Sequence, residues 1–192
     1  MSFTNIGQLG EKGKDGTTYL VKKRGREYAM KTFKKNRNQE KIQNEYNLQK
    51  KAGKAKISPI PYSVDLEKKF ILMQKMDSHF FDEINEKKGV ITQKRQKRIL
   101  YILKKLDEIG VYHNDCNITN WMVKDGELYI IDFGFSKAIT PSLLKRLKTE
   151  TPNQVNMLIG VVITLKEVNV PEKSYRILLG KISKENREKY GL

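Results

Sequence analysis

The sequence predicts an α+β fold, rich in strands over residues 1–76 and mainly helical over residues 77–192. Three observations predict it. Before Asp77 the apolar residues fall into the order strand, strand, helix, strand, strand; between 91 and 110 they switch to a helical period; and between 111 and 139 a hairpin pattern carries Asp115, Asn120 and Asp132 around its ends.

The stretch "GTTYLVKKRGREYAMKTFKK" (16–35) reads as a hairpin turning at Gly25, behind the glycine-rich "GQLGEKGKDG". "NRNQEKIQNEYNLQKKAG" (36–53) has asparagines to cap its start and Gly53 to end it, with Ile42, Glu45, Tyr46 and Gln49 spaced by threes and fours, so a helix is expected. Two prolines then mark a loop, and a turn over Leu66–Lys69 leads into the apolar strand "FILM". In "ITQKRQKRILYILKKLDEIG" (91–110) Thr92 caps, Gly110 stops, and Ile99, Ile102, Leu103, Leu106 and Ile109 share one face of a helix. "VYH" is a short strand or turn, and "WMVKDGELYIID" a hairpin with Asp125-Gly126 at its tip. From Pro141 the tail reads as two or three helical pieces, of which 157–165 is expected to lie buried under the loop that holds Asp115.

At 192 residues the chain suits one domain or two small lobes sharing a cleft. Hydrophobic residues at 38% and aromatics at 9% argue for a packed core despite 31% charged residues. The longest apolar run, "MLIGVVITL", is about half of the ~20 residues a membrane span needs, and "MSFTNIGQLG" lacks the pattern of a secretory signal, so a soluble, unexported protein with no membrane partner is expected. The single cysteine, Cys116, leaves no intramolecular disulfide or cysteine zinc site and suits a reducing, cytoplasmic compartment. The net charge of +16 is uneven, with 15 Lys/Arg against 5 Asp/Glu in residues 1–60 and 23 against 17 afterwards. Such a field attracts phosphates, nucleic acid or acidic proteins. Because Lys outnumbers Arg 30 to 8, a solvated surface shaped by AT-rich coding explains it as well.

Asp115, Asn120 and Asp132 bring three oxygen-bearing side chains to one edge of a sheet. Hard oxygen donors suit Mg²⁺, which takes one or two protein ligands together with substrate phosphates, and Asp115 then remains to accept a proton from an attacking hydroxyl. The competing explanation has Asp115 and Asn120 capping turns and Asp132 ending a strand.

The motifs decide between them. "HNDCNITN" (113–120), "IDFG" (131–134) and "YAMK" (28–31) resemble the catalytic loop, the metal-binding motif and the third-strand lysine motif of protein kinases, in that order and at compatible gaps from 7 to about 139. The resemblance implies a bilobal fold, with an N-lobe of antiparallel strands and one helix over 1–76 and a truncated, mostly helical C-lobe over 77–192. It implies Asp115 as catalytic base, Asn120 and Asp132 as magnesium ligands, Lys31 on the α- and β-phosphates of ATP, and Glu45 as the helix partner of Lys31, with Glu40 as an alternative. It further implies Ala29, Met73, Gln74, Lys75, Met76 and Met122 around the adenine. In the glycine-rich loop Gly13 and Gly16 match the second and third family glycines, whereas the first falls on Glu11 with Gly10 displaced by one.

Three departures bear on the kind of kinase. Asn114 stands in place of the arginine that grips a phosphorylated activation segment. Asn117 stands where Ser/Thr kinases generally carry a lysine. Only 58 residues follow Gly134, with no A-P-E motif and no convincing aspartate on the later core helix, so the usual peptide-docking helices are not expected in full. The pattern resembles the KEOPS-complex kinase subunit, down to Ser136 after "IDFG", and also the compact Ser/Thr kinases of large DNA viruses and bacterial effectors, for which the compartment is the host cytoplasm. Aminoglycoside and choline phosphotransferases rank third. The resemblance implies ATP and Mg as cofactors and a protein substrate as acceptor, with tRNA or an acidic protein as alternative partners. A catalytically silent binding module docking through Lys22, Lys23 and Arg24 is the contrasting reading. Asp82 and Glu83 are expected at a solvated helix start, with a ribose or basic substrate contact as the alternative; His79 at the surface; and His113 organising backbone.

Overall fold

The structure, a computed structural model, describes residues 3–10, 12, 13 and 15–192. The chain forms two compact units, residues 1–76 with Asp132–Gly134, and residues 77–131 with Phe135–Leu192.

The first unit is a five-stranded antiparallel sheet in the order β1-β2-β3-β5-β4, carrying one helix. Its strands are β1 (Thr4–Leu9), β2 (Gly16–Lys23), β3 (Arg26–Phe33), β4 (Pro61–Asp65) and β5 (Phe70–Met73), with α1 (Gln39–Lys54) between β3 and β4. Strand β1 begins before, and runs into, the stretch expected only to be glycine-rich. Its residues are nearly all exposed, so no in-out alternation marks it, and pairing with β2 is what makes it a strand. Gly16 opens β2 so close to β3 that a Cβ would overlap the Thr32 carbonyl, which explains a glycine there. The side-chain period of two puts Ala29, Lys31 and Phe33 on one face of central strand β3. That face meets α1, for Phe33 packs with Ile42 and Ile71 in a buried cluster flanked by Tyr46, Val64, Leu66 and Met73. Asn38 caps α1 by accepting the Glu40 amide. Gly53, expected to end this helix, lies inside it. The helix runs on to Lys54, and Gly53 is buried where a Cβ would press on Ile60 and Pro61 at 3.3 Å, so close packing rather than a C-cap selects glycine.

The second unit carries a three-stranded sheet in the order β6-β8-β9, from β6 (Ser78–His79), β8 (Trp121–Lys124) and β9 (Glu127–Ile130), and a two-stranded one from β7 (Val111–Tyr112) and β10 (Lys137–Ala138). Asp125 and Gly126 turn the β8–β9 hairpin at φ of 50° and 71°, the left-handed pair that an Asp-Gly tip supplies. Helices α2 (Phe80–Glu86) and α3 (Gln93–Glu108) precede β7, and α3 buries Ile99, Ile102, Leu103 and Leu106 as its periodicity predicts. After β10 come α4 (Pro141–Leu147), α5 (Leu158–Glu167), α6 (Arg176–Leu179) and α7 (Lys184–Tyr190), with a π-helical turn at Asn153–Met157 leading into α5. The tail is therefore more divided than the two or three pieces expected, because α6 and α7 are too short to show a period.

Glu83 has a structural partner that the sequence did not disclose. Its carboxylate takes Arg95 Nε and Nη2 at 3.2 and 2.6 Å and Lys87 at 2.7 Å, while Arg95 also donates to the Gly126 carbonyl. One guanidinium thus joins α2, α3 and the β8–β9 turn, which corrects the expectation of a solvated helix start or a ligand contact at Glu83. Burial pushes the Glu83 carboxyl up, but bonds to Arg95 and Lys87 outweigh it and hold the group below the usual carboxylate range. A depressed folded value means stability that is present above the unfolded pKa of about 4.3 and lost as pH falls through the folded one. Glu83→Gln is expected to cost about 2–3 kcal/mol at pH 7. In urea titrations this deficit shrinks toward pH 3; a deficit independent of pH would show that shape, not charge, is what Glu83 contributes.

Candidate active site

Lys31 reaches from β3 to two carboxylates, 2.6 Å to Glu45 Oε1 and 2.8 Å to Asp132 Oδ1. Glu45 lies one turn beyond Ile42 on the buried face of α1, so the packing that seats Ile42 also aims the acid at β3. Glu40 is exposed at the first turn, so the alternative partner for Lys31 is set aside. Burial alone would push the Lys31 ammonium down from the ordinary lysine value. The charges of Glu45 and Asp132 overcome that and hold its ammonium well above the ordinary lysine value. Burial pushes the Glu45 carboxyl above the usual range, with Lys31 opposing and Asp132 adding to the rise.

Asp132 sits in the left-handed region at φ 62°, a conformation Asp and Asn tolerate better than other side chains. Its Oδ1 also accepts the Gly134 amide at 3.2 Å, closing a tight turn. Ala29 is buried opposite Met73 in the β3–β5 register, and Met73 Sδ accepts from Gln49 at 3.4 Å. Lys75 pairs with Glu27 at 2.8 Å, and Met76 is buried. Gly13 is exposed and Gly10 takes φ 68°; Glu11 lies outside the described residues.

In the second unit, Asp115 and Asn120 stand on a loop between β7 and β8. Asp115 Oδ1 accepts the Asn117 amide, and Asn117 in turn caps the single 3₁₀ turn Ile118–Asn120. Asn120 is buried, its backbone carbonyl accepts the Ile131 amide at 2.9 Å, and its side-chain amide nitrogen has no partner among the described residues. A buried polar group left unspent inside the protein suits a side chain kept for a ligand. Met122 lies between His79 and Tyr129 in the β6-β8-β9 register. His113 is fully buried and ties backbone together, with Nδ1 3.0 Å from the Asp115 carbonyl and Nε2 3.0 Å from that of Ile131. Asn114, at φ 62°, donates to the Phe135 carbonyl, and Ser136 Oγ to that of His113. Gly160 of α5 faces Cys116 with no room for a Cβ, and Thr164 donates to the Cys116 carbonyl, which puts α5 against the loop as expected.

Sequence reasoning missed Asn153. This fully buried amide accepts the His113 N–H at 3.0 Å and donates to the Val111 carbonyl and to Asp107. Asp107 also takes the backbone amides of Asn153 and Gln154 at 3.0 and 3.1 Å. The later helix α5 carries no aspartate, as its sequence shows; a carboxylate comes from the end of α3, relayed through Asn153. Nothing in the local pattern "TPNQVN" signals such a role, because it depends on α3 lying alongside.

The family description "Protein kinase domain" matches residues 3–154. The chain belongs to the protein kinase domain family. Protein kinase domains are phosphotransferases that generally use ATP and Mg²⁺. The chain is also similar, at 32% identity over 81 residues, to a probable bifunctional tRNA threonylcarbamoyladenosine biosynthesis protein of Methanobrevibacter smithii; the match spans 42% of this chain and 14% of that relative. No described helix is long and apolar enough to cross a membrane. Within the first unit the residues suit a magnesium nucleotide: Asp132 presents hard carboxylate oxygens, and Lys31 is held charged beside it.

Proposed function

We propose that this kinase domain phosphorylates Ser or Thr hydroxyls of proteins from Mg·ATP, with residues 1–76 serving as N-lobe and 77–192 as C-lobe. The observation that carries the proposal is Lys31 fixed between Glu45 and Asp132 at 2.6 and 2.8 Å. Mg·ATP, when bound, supplies the transferable phosphoryl group and a divalent charge to neutralise it. Lys31 stays an ammonium at any working pH and meets phosphate oxygens. Asn120 and Asp132 hold the metal. Gly10, Gly13 and Gly16 bring backbone amides near the phosphates, and Ala29, Met73, Lys75, Met76 and Met122 line the adenine. Asp115, its Oδ1 tethered to the Asn117 amide, accepts the proton of the attacking hydroxyl. Asn114 donates to the Phe135 carbonyl, which gives the segment after Gly134 an anchor other than an arginine grip on a phosphate. The single cysteine suits the cytoplasm.

The similarity to the tRNA threonylcarbamoyladenosine protein favours a second reading, an ATPase or kinase subunit working beside tRNA, with basic residues 1–60 facing phosphates. Purified protein with γ-labelled ATP and Mg²⁺, offered a mixed protein acceptor or bulk tRNA, separates the two. Label on Ser or Thr that vanishes in Asp132→Asn supports the first reading. Phosphate release stimulated by tRNA without acceptor label supports the second, and no nucleotide turnover under either condition sinks both.

A further inference from the structure

Arg37, in the link between β3 and α1, has no role in the reading above. Its guanidinium nonetheless touches three separate pieces of the first unit. Nη1 lies 2.9 Å from Asp15 Oδ1, Nη2 donates to the Gly134 carbonyl at 3.3 Å, and the same Nη2 is 4.0 Å from Glu45 Oε2. The side chain is 13% exposed, so these contacts are largely shielded from water. The residue is itself held in place, since its amide donates to the Lys34 carbonyl and its own carbonyl accepts Lys69 Nζ, each at 2.9 Å. Lys34 in turn donates its amide to the Asp15 carbonyl.

We propose that Arg37 is a positioning residue for the nucleotide site, clamping the Gly134 carbonyl, Asp15 and Glu45 so that the Asp132 carboxylate keeps one direction; this rests on the phosphotransferase reading. The Gly134 peptide shows how the clamp works. Its N–H points to Asp132 Oδ1, and its carbonyl points to Arg37. A Cβ on Gly134 would stand 3.2 Å from Asp132 Oδ1, 3.4 Å from Glu45 Oε2 and 3.7 Å from Arg37 Nη2, so the glycine lies at the centre of the cluster. Charge completes the argument. Lys31 serves two carboxylates and bonds Glu45 through Oε1, whereas Glu45 Oε2 is buried with no hydrogen bond among the described residues and has Arg37 as its neighbouring cation. Asp15, next to the glycine-rich turn, is tied to the same guanidinium. A planar fork with separate nitrogens reaches Asp15 and Gly134 together, which a lysine ammonium does not.

The test compares wild type, Arg37→Gln and Arg37→Lys by two readouts. In nucleotide-free protein, Arg37→Gln is expected to speed amide hydrogen exchange at Phe133 and Gly134 by about tenfold while α3 exchanges unchanged, with Arg37→Lys intermediate. With Mg·ATP, kcat falls by about 10–100-fold while KM for ATP moves less than about threefold, since misdirecting a bound group costs the reaction more than binding. Unchanged exchange at 133–134 overturns the proposal, and so does exchange raised equally throughout the chain with kcat intact, which would make Arg37 merely structural. Wild type without turnover sinks the phosphotransferase reading instead, and the exchange measurement still decides whether Arg37 holds the turn.

Discussion

Lys31→Met loses phosphoryl transfer by on the order of 10²–10³-fold and is also less stable by about 3–5 kcal/mol at neutral pH. Both effects have one origin. The ammonium is the counter-charge for Asp132 and for Glu45, which is only 2% exposed, so methionine leaves a buried carboxylate whose remaining cation is Arg37, 4.0 Å from its other oxygen. The stability loss carries a pH signature. Burial already raises the Glu45 carboxyl, and removing Lys31 takes away the main force lowering it. A raised folded pKa favours folding fully below the unfolded value of about 4.3 and loses that contribution as pH rises through the folded value. The melting-temperature gap between variant and wild type therefore narrows from pH 8 to pH 5. Lys31 itself, with a raised pKa, contributes below about 10.4 and so stays constant across that range. A gap equally wide at both pH values would show that Glu45 does not depend on Lys31 for its charge.

Asp115→Asn gives the opposite combination, a large loss of activity with little change in stability. The carboxylate is half-buried and its Oδ1 accepts only the Asn117 amide among the bonds described, a bond that asparagine keeps. Unfolding free energy is expected to move by less than about 0.5 kcal/mol. Transfer to a protein hydroxyl falls by about 10²–10⁴-fold, because the amide cannot accept the proton. Affinity for Mg·ATP, read by calorimetry, stays within about threefold of wild type, since the proton acceptor does not hold the nucleotide. Transfer by Asp115→Asn at the wild-type rate would remove Asp115 from the chemistry.

Local pattern was informative where an element carries its own period or cap. The buried stripe of α3, the Asn38 cap of α1 and the Asp125-Gly126 tip each follow from residues within a few positions of one another. The motif residues were legible for the same reason: Asp115 and Asn120 lie on one short loop, and Asp132 heads its own turn. Glu45 was separable from Glu40 only once α1 was seated, because helical spacing permits either and packing of Ile42 selects one. Strand β1 was invisible, as its burial pattern carries no alternation. Gly53 was misjudged because a glycine chosen for close packing looks, in sequence, like one chosen to end a helix.

The sequence alone determined which groups the kinase resemblance assigns to a nucleotide, through motifs whose spacing is set by short-range geometry. Tertiary structure decided how those groups are supported: Asp107 through Asn153, Arg95 against Glu83, and Arg37 on Gly134 are joined across 46, 12 and 97 positions of chain. Contacts at such separations leave no periodic trace, since each depends on where whole elements pack rather than on which residues stand nearby.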